Sequence, residues 1–436
     1  MRTVTRKDFG IDYGGTSVRV GPVDRNSGRL TDRIVSLDSR QFRTNEGLTR
    51  AIREVLPPRC NVFTGAAGKI EGLRIKHSPN SSIDGPVTFP EDLRRDGYNI
   101  ALVNDMGAAV SAVVLWGPGR DRRVSAVGTY SSGSNFAVSR EGLLISMEAS
   151  HMQGPAVAGW PNEVPLFAQV WQYCFRRNVD FSSAPVAIEG MKDYNSKHSP
   201  AQLARLGLSP LTSEDLATQD GLARALFALS YYPDSIVLND RTFTAAELTS
   251  DARLICGCEG RGHLEPLVTG NGAAWMAQRH FLLNREPGHK IMLMALADYN
   301  KKFGTNIAFS SLVDDSIYPV IVSHISAKHV YEAYRLAPEE MPQAFIRNTQ
   351  VDMIAASIGI LASYHMPEVL VCMGSMTNDW DIIFEPAIAL ITPGSPVHRP
   401  GHYCLDAITP PEVLKNDIEE LGLVGAVAYG VMQEKR

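Results

Sequence analysis

Residues 12–19 read DYGGTSVR, a carboxylate ending a short apolar run, then two glycines and a threonine. Residues 9–12 before the glycines and 17–23 after them each read as a strand, so the stretch predicts a hairpin. Glycine lets backbone N–H groups approach an anion without a Cβ clash, and successive N–H groups form a nest for phosphate oxygens. A carboxylate beside such a nest, here Asp12, can hold Mg2+ through water, because Mg2+ takes few protein carboxylates. Two more glycine turns follow predicted strands, GTYSSGSN at 128–135 and GSMTND at 374–379. Each can equally be a plain hairpin turn. None is a Walker A loop, since the chain has no GxxxxGK[ST] pattern.

Outward from that hairpin, a helix opens at 44–47 with Leu48, Ile52 and Val55 at helical spacing and stops at Pro57-Pro58. Residues 61–65 are a strand running into the loop GAAG at 65–68, and 98–104 are a buried-type strand. Asn104-Asp105 stands where that strand ends and a small-residue helix, 106–115, begins. Asp105 there is either a helix N-cap or a reactive carboxylate. The strand–glycine loop–strand opening recurs from 124, with a hairpin at 136–138 and 143–147. Strand 369–373 and a final helix from about 422 close the chain. Residues 152–254 carry amphipathic helical segments, 199–206 among them, and no chemical motif.

The expected class is α/β with two lobes, 1–122 and 123–421. The C-terminal helix 422–436 packs back on the first lobe, and the second lobe holds a helical insertion at about 152–254. A length of 436 residues exceeds the roughly 250–300 that one core supports. The net charge of −5, with no basic stripe, argues against a dedicated nucleic-acid binder. No apolar run reaches the roughly 20 residues that span a bilayer. The first residues lack the apolar core of a signal peptide, and six cysteines are too few for a disulfide scaffold. A reducing, cytoplasmic compartment is expected.

The sharpest local signal is CGCEGRGHLE at 256–265. Cys256, Cys258 and His263 put three ligands suited to tetrahedral Zn2+ in one glycine-rich loop; the alternative is a pair of plain buried thiols. EASHM at 148–152 reads as a polar turn after a hairpin or as part of a site.

Taken in order, these segments resemble the ROK family of sugar kinases (repressor, open reading frame, kinase), within the actin–hexokinase–Hsp70 ATPase superfamily. DYGGTSVR resembles its first phosphate motif, and the end of 87–112, VNDMGAAVSA, resembles NDxNAA. HSPN at 77–80 stands where a Pro-Asn pair contacts sugar. EASHM is similar to ExGH, CGCEGRGHLE to CxCGxxGCxE, EVLVCMGSMTND at 368–379 to the adenosine loop, and LGLVGAVAYGV to the C-terminal helix.

The resemblance implies a ribonuclease H-like, two-lobed fold and transfer of the ATP γ-phosphoryl group to a sugar hydroxyl, with Asp105 as base. It implies phosphate and Mg2+ contacts at Asp12, Gly14, Gly15, Thr16, Gly128, Thr129, Gly133 and Gly374. Sugar contacts would come from Gly68, Asn80, Asn104, Asp105, Glu148, His151 and Glu265. Structural zinc would sit on His151, Cys256, Cys258 and His263. A small-molecule sugar and ATP are the expected partners, in a homodimer with no nucleic acid and no membrane. The chain departs from the family pattern at Tyr130, Ser132 and Ser134, which replace glycines of the second loop, and at His263, which replaces a cysteine. A non-catalytic sugar sensor on the same fold and a kinase of a non-sugar alcohol are the competing expectations. ROK repressors carry a helix-turn-helix ahead of the first phosphate motif, and about eight residues precede the first strand here, so no such domain is expected.

Overall fold

The structure is a computed structural model that describes residues 6–78, 81–131, 133–147, 185–197, 200–205, 209–218, 221, 225, 235–238, 241–244, 268–284, 286–314, 317–341, 350–398 and 409–435. The chain divides into two compact units: Met1–Gln153 with Cys256–Gly270 and Gln350–Arg436, and Gly154–Ile255 with Asn271–Thr349.

The first unit opens with β1 (Asp8–Tyr13), β2 (Ser17–Pro22), β3 (Val35–Asp38), α1 (Asn45–Val55) and β4 (Asn61–Ala66). A small hairpin, β5 (Lys69–Glu71) and β6 (Arg74–His77), precedes α2 (Phe89–Arg95), β7 (Asn99–Asn104) and α3 (Asp105–Trp116). Then come β8 (Val124–Tyr130), β9 (Ser134–Arg140) and β10 (Leu143–Ser146). Next along the chain are α4 (Pro185–Lys197), α5 (Pro200–Arg205), the hairpin β11 (Ser235–Leu238) and β12 (Arg241–Thr244), and α6 (Gly270–Asn284). They are followed by α7 (Lys290–Phe303), α8 (Tyr318–His324) and α9 (Ala327–Leu336). The first unit resumes with α10 (Val351–His365), β13 (Val369–Met373), α11 (Trp380–Ile391), β14 (Glu412–Lys415) and α12 (Leu421–Glu434).

Two five-stranded sheets have the same plan. Their orders are β3-β2-β1-β4-β7 and β10-β9-β8-β13-β14, each an antiparallel meander continued by parallel strands. The shared strand–glycine turn–strand opening of the sequence is thus the start of a structural repeat. Helices α3 and α12 pack on each other; α12 lies on β1 and β4, and α3 on β8 and β9. One apolar core accordingly joins Phe63 and Val103 of the first sheet, Val127, Ala137 and Val371 of the second, and both helices. Small residues make this crossing possible. A Cβ on Gly425 would lie 2.2 Å from the Ala108 carbonyl oxygen, so the two backbones meet without side chains between them.

Strand alternation sorts β1 between two faces. Phe9, Ile11 and Tyr13 enter a second core with Val18, Val20, Leu48 and Ile52. Gly10 and Asp12 face the other way, toward α12, where Gly10 leaves room for the Leu423 backbone. Helix α1 is capped by Thr44, whose hydroxyl accepts the Gly47 N–H at 3.2 Å, and its Leu48 and Ile52 are buried. In the second unit α7 packs on α8 and α9, and the Tyr318 hydroxyl donates to the Phe281 carbonyl at 2.8 Å. This unit comprises residues 154–255 and 271–349, and among its described elements is the hairpin β11–β12.

Candidate active site

The parallel strands β1, β4 and β7 are in register, with Tyr13 beside Ala66 and Ala66 beside Asn104. Their C-terminal ends gather Asp12, the bend at Ala67-Gly68, Asn104 and Asp105 at one end of the sheet, where open α/β sheets bind ligands; the expected loop 65–68 is shorter, since β4 runs through Gly65 and Ala66. Asn104 caps α3: its side-chain oxygen accepts the Met106 N–H at 2.9 Å, and its amide donates to the Gly68 carbonyl at 3.4 Å. Gly68 has φ 127°, and a Cβ there would lie 2.0 Å from the His77 carbonyl oxygen, so glycine is required where the Gly68 carbonyl meets the Asn104 amide. Asp105 is the first residue of α3 and half-buried, and one of its carboxylate oxygens accepts the Met106 N–H at 2.9 Å. The helix N-terminus favours negative charge at that point.

Asp12 ends β1 on the face turned to α12. A Cβ on Gly422 would lie 2.9 Å from an Asp12 carboxylate oxygen, which puts that carboxylate against the first turn of α12. Arg19 stands directly across the hairpin from Asp12 and pairs with it, and the same guanidinium pairs with Glu420. Burial works against the charge on Arg19, but the two carboxylates outweigh it and hold its pKa above the ordinary value. This pairing is absent from the sequence reading. The signal for half of it was present, because a hairpin turning at Gly15-Thr16 sets residues 12 and 19 opposite each other.

The first glycine turn is partly consumed by its own hairpin. Gly14 donates its N–H to the Ser17 carbonyl at 3.0 Å, and the Gly15 carbonyl accepts the Ser39 hydroxyl at 2.8 Å. The N–H groups of Gly15 and Thr16 are bound to no described residue.

The second glycine segment differs from expectation. Gly128 and Thr129 are not in a loop: β8 continues through them, with Gly128 between Phe136 and Cys372 and Thr129 between Asn135 and Met373. Their backbones serve the sheet ladder, and the turn begins at Ser131, whose N–H donates to the Gly133 carbonyl at 2.9 Å. Tyr130 explains the extension. It is fully buried, meets Phe136 and Phe384 edge-on with ring centroids 5.7 and 5.1 Å away, and its hydroxyl hydrogen-bonds the Ser357 hydroxyl at 3.2 Å. The side chain that stands where the resemblance expects a glycine therefore anchors the hairpin in the core.

Gly374, at φ 102°, presses on this turn; a Cβ there would lie 2.3 Å from the Tyr130 carbonyl oxygen. The expected loop 374–379 is a 3-10 turn over Ser375–Asp379, and the Thr377 hydroxyl donates to the Gly374 carbonyl at 2.8 Å. The second and third glycine segments thus meet at the C-terminal ends of β8 and β13. Met147, the residue before Glu148, lies against the first turn of α3, since a Cβ on Gly107 would be 2.7 Å from its sulfur.

Asn80, Ser132, Glu148, His151, Cys256, Cys258, His263 and Glu265 lie outside the described residues. Among the described residues, no group of three or more His, Cys, Asp or Glu is placed to hold a metal ion, and no helix is long and apolar enough to cross a membrane.

No protein-family profile matches the sequence, and no curated protein matches it by sequence. Solved structures do match its fold. A ROK family glucokinase from Streptomyces griseus, in complex with glucose and AMPPNP, aligns with TM-score 0.51 and 17% identity over 97% of this chain and 98% of that one. A ROK hexokinase from Thermus thermophilus aligns with TM-score 0.50 and 14% identity, covering 98% and 99%. A ROK family transcriptional regulator, a homologue of the E. coli MLC protein, gives TM-score 0.52 and 10% identity over 99% of this chain and 80% of that one. The likeness is one of fold: this chain has the two-lobed actin-like ATPase fold found in ROK proteins.

Proposed function

We propose that the chain is an ATP-dependent sugar kinase that transfers the γ-phosphoryl group to a hydroxyl, the primary one in our reading, of a hexose or hexose derivative. The observation that carries this reading is Asn104-Asp105 at the start of α3, bonded to Gly68 beyond the neighbouring strand β4 and at the same end of the sheet as Asp12 on β1. Two of the neighbours in fold bear the names glucokinase and hexokinase, and the first holds glucose and an ATP analogue.

Phosphoryl transfer has a loose transition state, so it needs in-line positioning and charge neutralisation more than covalent chemistry. Asp105, oriented by the Met106 N–H, accepts the hydroxyl proton as the sugar oxygen bonds to the γ-phosphorus and the bond to the bridging oxygen of ADP breaks. Asn104, tied to Gly68, orders the same end of the strand for a sugar hydroxyl. Asn80, Glu148, His151 and Glu265 complete the sugar contacts in this reading. The N–H groups of Gly15 and Thr16 and the turn at Gly133, backed by Gly374, grip phosphate oxygens.

A single carboxylate, Asp12, at the edge of such a nest suits Mg2+, which takes one or two carboxylates besides phosphates and water. Bound there with the nucleotide, Mg2+ neutralises phosphate charge. By residue type, Cys256, Cys258, His263 and His151 would make a Cys2His2 set suited to structural zinc, and metal analysis is expected to find one zinc per chain. Finding none leaves the two cysteines as plain thiols. The proposal as a whole is tested by ADP release against a panel of hexoses, with and without Mg2+. Sugar-dependent release that needs Mg2+ is the expected result.

A second reading, a sugar-sensing regulator without catalysis, is favoured by the Arg19 guanidinium on Asp12 and by the filled second loop, and one neighbour in fold is a regulator. Hexose binding without any ADP release supports it.

A further inference from the structure

Asp12, the carboxylate read above as the Mg2+ partner, already holds a cation of the chain's own. Arg19 faces it across the hairpin and bonds it, and the Asp12 side chain is only 13% exposed. Glu420 takes the other end of the same guanidinium. The backbone at Glu420 has φ 51° and ψ 47°, a left-handed conformation disfavoured for a residue with a Cβ. That turn delivers the Glu420 carboxylate to Arg19 and sets Gly422 against Asp12. Residues with unfavourable backbone angles persist where the surroundings demand them, often at functional sites.

We propose that Arg19 is a latch on the nucleotide site: it neutralises Asp12 until a divalent cation displaces it, and Glu420 is its second anchor, which keeps the displaced guanidinium at the phosphates. This rests on the kinase reading and adds regulation of its site. Mg2+ and Arg19 compete for one carboxylate. Glu420 biases that competition toward Mg2+, because it gives the arginine a resting place off Asp12. Arg19, at 38% side-chain exposure, bonds Glu420 through Nη1 and Asp12 through Nη2 at once, so leaving Asp12 breaks one pair and keeps the other.

The prediction is one of opposite signs, which a merely structural role does not produce. The measurement is the affinity for a fluorescent ADP with and without Mg2+, read as the ratio of the two dissociation constants. Arg19→Met frees Asp12 and removes a phosphate partner, so Mg2+ should strengthen binding about three- to fivefold more than in the parent, the factor expected of ion pairs at this exposure. Glu420→Gln leaves Arg19 on Asp12, so the Mg2+ effect should shrink by a similar factor. The double variant should match Arg19→Met, and Arg19→Lys should stay near the parent. Thermal midpoints check that each variant folds. Shifts in the same direction for both single variants, or no shift in either, overturn the latch. If the parent binds no nucleotide at all, the kinase reading fails separately. In that case nucleotide binding gained by Arg19→Met still supports the latch, and its absence in that variant overturns it.

Discussion

Asp105→Asn is expected to lower sugar-dependent ADP formation by about 10^2- to 10^4-fold, the usual contribution of a positioned general base. Hexose affinity should stay within a few-fold of the parent. The substitution is nearly isosteric, and the amide oxygen can still accept the Met106 N–H that orients the side chain at the head of α3. What the variant loses is the capacity to take a proton. Loss of rate with binding retained therefore separates the chemical role of Asp105 from a merely structural one at the first position of α3, whose cap is Asn104. Steady-state kinetics beside calorimetric sugar titration measure the two parts. Undiminished turnover removes Asp105 from the mechanism.

The second large effect concerns the crossing of α3, which begins at Asp105, and α12, whose first turn holds Gly422 against Asp12. Gly425→Ala ought to help by helix propensity alone, where alanine exceeds glycine by about 1 kcal/mol. Here the added Cβ meets the Ala108 carbonyl oxygen at 2.2 Å and its carbon at 2.4 Å, so one helix must move. Overpacking of this kind costs about 1–3 kcal/mol or more, and a net loss of about 2 kcal/mol lowers the thermal midpoint by about 4–8 °C. Gly47→Ala is the control: its Cβ would meet nothing nearer than the Thr44 hydroxyl at 3.4 Å, so its midpoint should hold or rise. Equal midpoints for Gly425→Ala and the parent contradict the close crossing.

The parts of the fold governed by local chemistry were legible in the sequence. The hairpin at Gly14-Gly15, the capped helix after Thr44, the strand into Asn104-Asp105, and the strand Val369–Met373 all follow from alternation, turn residues and caps. The second glycine segment is not legible in this way, because Gly128 is a turn former by composition. In the folded chain it is instead a position where only a small residue fits beneath Phe136 and Tyr130, with their ring carbons 2.9 and 3.0 Å from its would-be Cβ. Helix α11 escaped notice because Pro386 reads as a breaker, yet it sits inside a helix whose Phe384 stacks on Trp380 at 4.7 Å. Strand β14, Glu-Val-Leu-Lys, is too short to show alternation and exists by pairing with β13.

At the site, the reading of residues located Asp12 and Asp105 by their positions at strand ends. It could not locate Glu420, which reaches Arg19 from the far end of the chain through the packing of α12. Nor could it see that Tyr130 is satisfied by Ser357 of α10, a contact that turns a departure from the family motif into core packing.

The most direct test of the account is a calorimetric titration of the purified chain with a non-hydrolysable ATP analogue and Mg2+, with and without a bound hexose. The account predicts one nucleotide per chain, bound more tightly when the sugar is present. A chain that binds hexose and ignores the nucleotide under the same conditions contradicts it.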